Sequence, residues 1–158
     1  MSRVIVFDLI GTLLDLQAMD VHFERFFGDA AIRKEWFTQT VQLAMPATLA
    51  GTYEDFSVQA DTALEITARR YKVSMLGEEK NLILGTLRKL RAFPEVAQSL
   101  HRLRNAGLRL AALTNSPARA AEAQLTHSGL REHFEYVISA DEVQRFKPAP
   151  EVYHLAAS

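Results

Sequence analysis

The stretch VIVFDLIGT, Val4 to Thr12, constrains this chain more than any other. A run of β-branched and aromatic residues ends without a polar break at a single carboxylate, Asp8. An unalternating run of this kind suits a parallel strand covered on both faces, read here over Arg3 to Phe7. Gly11 then permits a tight turn. Two more apolar runs follow much later, Leu108 to Leu113 and Phe134 to Ser139. Helical spacing precedes the second run. Pro94 suits a first helical turn, Val96, Leu100 and Leu103 form a stripe, and Gly107 ends it. Thr114-Asn115-Ser116-Pro117 closes the second strand and opens a helix to about His127, with Gly129 as its stop. Lys147-Pro148-Ala149-Pro150 reads as rigid and extended, and Glu151 onward as helical.

Between Leu16 and Arg91 the texture differs. Apolar residues recur at helical spacing, as in Val21, Phe23, Phe26 and Phe27, then Trp36, Phe37, Thr40 and Val41. Further helices are expected over Tyr53 to Tyr71 and Gly77 to Leu90, and Pro46 and Gly51 punctuate the region. The whole reads as an α/β parallel sheet with a helical block inserted after the first strand. The expected division is a core of 1–15 and 92–158 and a cap of 16–91.

The 158 residues suffice for one domain with a real core. At 48% hydrophobic and 23% charged, the composition is that of a globular protein. A formal net charge of -1 gives no basic field for nucleic acid and no polybasic tail for a membrane. The run after Arg3 is too short for a signal peptide, and no stretch is long enough to span a bilayer. With no Cys, a disulfide framework, a thiolate nucleophile and a Cys zinc site are excluded. A cytoplasmic location is the expectation.

In open parallel sheets, ligands bind at the carboxyl ends of the strands. Asp8, Thr114 and Asn115 stand at such ends, and Lys147 lies in the loop beyond the third strand. Singly, each has an ordinary explanation: a turn residue, a helix N-cap, a surface charge. Together, their order along the chain points to one polar pocket.

These pieces resemble the haloacid dehalogenase superfamily: FDLIGT (Phe7 to Thr12), LTNS (Leu113 to Ser116) and FKPAPEVY (Phe146 to Tyr153). FPEVAQSLHRLRNAG (Phe93 to Gly107) is similar to that family's return from cap to core. The resemblance implies a Rossmann-like core with a helical cap, and Asp8 as a nucleophile that forms a covalent intermediate. Phosphatases of the superfamily carry a second Asp at the position of Ile10, which protonates the leaving oxygen, activates water and helps hold magnesium. The L-2-haloacid dehalogenase branch lacks that Asp and uses no metal or other cofactor. Halide leaves without a proton, and a second carboxylate would repel a carboxylate substrate. Ile10 and the KPxPxxY pattern ending at Tyr153 therefore favour that branch. The substrate implied is a small 2-haloalkanoate, hydrolysed to a 2-hydroxy acid through an aspartyl ester. The resemblance assigns Lys147 and Thr12 to Asp8. It assigns Thr114, Asn115 and Tyr153 to substrate and leaving group, and the N–H groups near Leu9, Ile10 and Ser116 to the substrate carboxylate. It also suggests a homodimer.

Two departures accompany the match. The branch carries a halide-receiving cap Arg just after a Trp, and here Trp36 precedes Phe37. Arg33 and Lys34, one helical turn away, are the available substitutes. The family's fourth motif, on a further strand, would lie past Ser158. The expectation is a truncated member whose last core strands are missing, with one edge of Val4 to Phe7 exposed and little activity by itself. The alternatives are a phosphatase of the same superfamily acting on a small phosphate ester, and an inactive fragment.

Overall fold

The computed structural model describes residues 3–158. Among them, three parallel strands form one sheet in the order β1-β2-β3: β1 (Val4–Phe7), β2 (Arg109–Thr114) and β3 (Tyr136–Ser139). Phe7 pairs with Ala112, and Thr114 with Ser139, so the three carboxyl ends lie side by side. Parallel strands need long crossovers, and helices provide them. α5 (Val96–Asn105) precedes β2, α6 (Ala118–His127) links β2 to β3, and α7 (Pro150–Ala157) follows β3.

β2 is buried along almost its whole length, as its unalternating composition requires. β1 is not covered on both faces, and it lies at the edge of the sheet with the open side expected for Val4 to Phe7: Ile5 and Phe7 pack on the core, while Val4 is 47% and Val6 42% exposed. The composition of a run records that a strand is apolar, not which neighbours cover it.

The crossover from β1 to β2 carries α1 (Asp20–Phe27), α2 (Ile32–Ala50), α3 (Phe56–Arg70) and α4 (Gly77–Thr86). The chain leaves and re-enters through one seam. The Asp15 N–H donates to the Arg91 carbonyl at 2.8 Å, and the Phe93 N–H to the Leu13 carbonyl at 3.1 Å. Pro46 does not punctuate α2 but lies within it, and the helix ends at Gly51, which adopts φ +68°. α3 begins where Asp55 caps the Ser57 and Val58 N–H groups.

Trp36 anchors this block. It is fully buried against Phe23, and its Nε1–H donates to the Ala60 carbonyl at 3.0 Å. Arg33, also buried, pairs with Asp20 and so ties α2 to α1. Trp36→Phe removes ring volume and the indole hydrogen bond to the Ala60 carbonyl, which keeps its place in the α3 ladder. We expect a loss of about 1–3 kcal/mol of stability, read by urea unfolding under circular dichroism. A change under about 0.5 kcal/mol would contradict this account of the anchor.

Candidate active site

Asp8 is the first residue beyond β1. The chain then folds back on itself at once: the N–H groups of Leu13 and Leu14 donate to the Leu9 carbonyl at 2.9 and 3.0 Å. Gly11 has φ +82°, a conformation that a side chain would strain. This turn brings Thr12 under the carboxylate, where its hydroxyl donates to Asp8 Oδ2 at 2.9 Å.

The other carboxylate oxygen is held from the far end of the chain. Lys147 Nζ donates to Asp8 Oδ1 at 2.6 Å and to the Leu113 carbonyl at 2.9 Å. The Lys147 backbone N–H donates to Asn115 Oδ1 at 2.9 Å. One lysine therefore joins the ends of β1 and β2. Its amine is mostly covered, while the Asp8 side chain keeps 44% of its surface open.

Thr114 and Ser116 are both buried. The Ser116 N–H was expected to face substrate but donates to Thr114 Oγ1 at 3.1 Å. This is the i to i+2 bond that a strand-terminal Thr readily makes, and it engages the donor within the loop. The Ser116 carbonyl accepts from Ser139 Oγ at 2.7 Å, which fixes the end of β2 to the end of β3. The Leu9 and Ile10 N–H groups have no acceptor among the described residues. The Leu9 side chain is buried in the core, whereas Ile10 reaches the cavity.

That cavity holds about 420 Å³. Asp8, Lys147, Thr114, Asn115, Ser116 and Tyr153 form its polar side, and Ile10, Phe37, Val41, Met45 and Phe56 its apolar wall. Asp8, Lys147 and Tyr153 also border an open cleft of about 670 Å³ along Val4 and Val6. Tyr153 is half-exposed where the two meet. Neither Arg33 nor Lys34 lines the cavity: Arg33 is committed to Asp20, and Lys34 is exposed elsewhere on α2. The wall residues Val41, Met45 and Phe56 went unread in the sequence, because apolar residues at helical spacing look the same whether they face a core or a cavity. Among the described residues, no three His, Asp or Glu side chains converge as metal ligands.

The arrangement is a carboxylate fixed through both oxygens by a cation and a hydroxyl, facing an apolar wall. Comparison with known proteins places the chain in a family. The chain is 30% identical over 154 residues to an (S)-2-haloacid dehalogenase of Pseudomonas sp. strain YL, covering 96% of this chain and 66% of that one. (S)-2-haloacid dehalogenase 4A of Burkholderia cepacia is also 30% identical, over 98% of this chain and 68% of its own. The solved structure of L-2-haloacid dehalogenase from Xanthobacter autotrophicus, with chloropropionic acid covalently bound, superposes with a TM-score of 0.91. It is 28% identical and covers 99% of this chain and 64% of that one. The chain thus spans about two thirds of the length of these relatives. A family model described as haloacid dehalogenase-like hydrolase matches residues 2–158, and the chain belongs to that family.

Proposed function

We propose that this protein is a hydrolytic dehalogenase of small (S)-2-haloacids. It would act from a core of 1–15 and 92–158 beneath a cap of 16–91. The observation that carries this reading is the pair of neighbours around Asp8: a clamped carboxylate, with the aliphatic side chain of Ile10 where a phosphatase of this family needs a second acid. Relatives named as (S)-2-haloacid dehalogenases support it, as does the Xanthobacter structure with chloropropionic acid covalently bound.

Asp8 Oδ2, which accepts only a neutral hydroxyl, is the better nucleophile of the two oxygens. Oδ1 is partly neutralised by the ammonium of Lys147. Oδ2 attacks the halogen-bearing carbon from behind, the carbon–halogen bond breaks with its electron pair on the halide, and the configuration inverts. Water then adds to the carboxyl carbon of the new ester. Lys147, still on Oδ1, stabilises the oxyanion that forms there. Collapse releases the 2-hydroxy acid and one proton and regenerates Asp8. The Leu9 and Ile10 N–H groups suit the substrate carboxylate, and the Asn115 amide and Tyr153 hydroxyl suit the leaving group. Thr114 and Ser116 hold the loop that presents them. Phe37 lines the cavity, so halide departs here against an apolar surface. A Cys-free chain suits the reducing cytoplasm, and the family resemblance suggests a homodimer.

The test is paired: halide release from (S)-2-chloropropionate and phosphate release from a generic phosphomonoester, each with and without magnesium. We expect metal-independent halide release that falls at least about a thousandfold in Asp8→Asn. Magnesium-dependent phosphate release, or silence in both assays, overturns the proposal.

The apolar wall yields a second prediction. Each methylene added to the substrate is expected to lower KM about fourfold, from about 0.8 kcal/mol of transfer free energy, until the cavity is full. Steady-state kinetics on 2-chloropropionate, 2-chlorobutyrate and 2-chlorovalerate measure it, and a flat or rising KM would contradict it.

A further inference from the structure

The loop that delivers Lys147 is held on two sides, and only one of them is the sheet. On the sheet side, the Lys147 N–H donates to Asn115. On the other side, the two preceding residues are fastened to the last turns of α2. The Phe146 N–H donates to Thr48 Oγ1 at 3.0 Å, and Arg145 Nη1 donates to the Thr48 carbonyl at 2.6 Å. That carbonyl lies at the C-terminal, electronegative end of α2, where a guanidinium is favoured. The Phe146 ring is buried in a cluster with Ala44 and Phe56, and the Tyr53 ring lies 4.8 Å from it. The Tyr53 hydroxyl donates to Asp141 at 2.9 Å. Burial first, then that hydrogen bond and the nearby charges of Asp141 and Asp55, hold this hydroxyl above the ordinary tyrosine range, so it stays a donor.

We propose that Thr48 is a positioning residue for Lys147, the contact through which the helical block sets the lysine against Asp8. Arg145, Phe146 and Lys147 are consecutive. A shift of the Phe146 backbone therefore moves the root of the lysine side chain, and Nζ must then give up Asp8 or the Leu113 carbonyl. Thr48 touches neither substrate nor reacting atoms and acts only through this chain of contacts. Helical block and sheet must therefore be docked for the nucleophile to be held at both oxygens. The inference rests on Asp8 and Lys147 being the catalytic pair of the proposed reaction.

The test compares Thr48→Val, which keeps the shape and removes the acceptor, with Thr48→Ser, which keeps the acceptor. Thr48→Val is expected to lower kcat for halide release about tenfold or more with KM within about twofold, and Thr48→Ser to restore kcat to near the unmodified level. Crystal structures of the unmodified protein and Thr48→Val supply a readout independent of activity, in which Nζ is expected to leave hydrogen-bond distance of Asp8 Oδ1. If the unmodified protein releases no halide, the functional proposal fails, and the crystal structures alone decide this one. If Thr48→Val does not fold, Arg145→Met, which removes the second fastening, takes its place with the same expectation. Unchanged kcat with Nζ still on Asp8, or a Thr48→Ser variant as impaired as Thr48→Val, overturns the inference.

Discussion

The contact between Lys147 and Asp8 joins residues 139 positions apart and brings the rest of the structure to bear on one carboxylate. Ordering so long a separation costs chain entropy, and an ion pair with a half-open carboxylate contributes only about 0–1 kcal/mol to stability. The pair is therefore a product of the fold rather than a cause of it. β1 delivers Asp8, the β2 end supplies the Leu113 carbonyl and the Asn115 side chain, and the loop after β3 brings the lysine. Without the lysine from the loop after β3, the carboxylate would be held through Oδ2 by Thr12 only. Ser139, which bonds the Ser116 carbonyl, keeps the last two ends at a fixed separation.

The helical block supplies what the sheet does not. Its face toward Asp8 carries no charge: Phe37, Val41, Met45 and Phe56 meet Ile10 across the cavity. An apolar wall of this kind accepts an alkyl group or a halogen. The cations of α2 do not serve this wall, since Arg33 is spent on Asp20, where it secures the packing around Trp36. Chemical demand and packing demand thus compete for the same helix, and on this stretch of it packing takes the arginine.

The outer side of β1 is open. Val4 and Val6 stand open beside the cleft that also reaches Asp8 and Lys147. Asp8 therefore borders space both beneath the helical block and along the sheet edge.

Much of this was legible in the sequence, for definite reasons. Unalternating β-branched runs mark parallel strands, and Gly11 within its turn and Gly51, Gly107 and Gly129 near helix ends all adopt positive φ. The order Asp8, Thr114-Asn115, Lys147 follows from where the strands stop. So the strands and the position of Asp8 at a strand end were legible in local pattern, while its proposed role and the meaning of Ile10 came from the family resemblance. Two things were decided only by tertiary structure. The use of the Ser116 N–H depends on a side chain two residues back adopting one rotamer among several. The role of Thr48 depends on two segments 98 positions apart meeting, and a threonine in the last turns of a helix carries no signal of that meeting. Local sequence sets what each segment can form, while packing between distant segments sets which polar atoms are spent and which remain for chemistry.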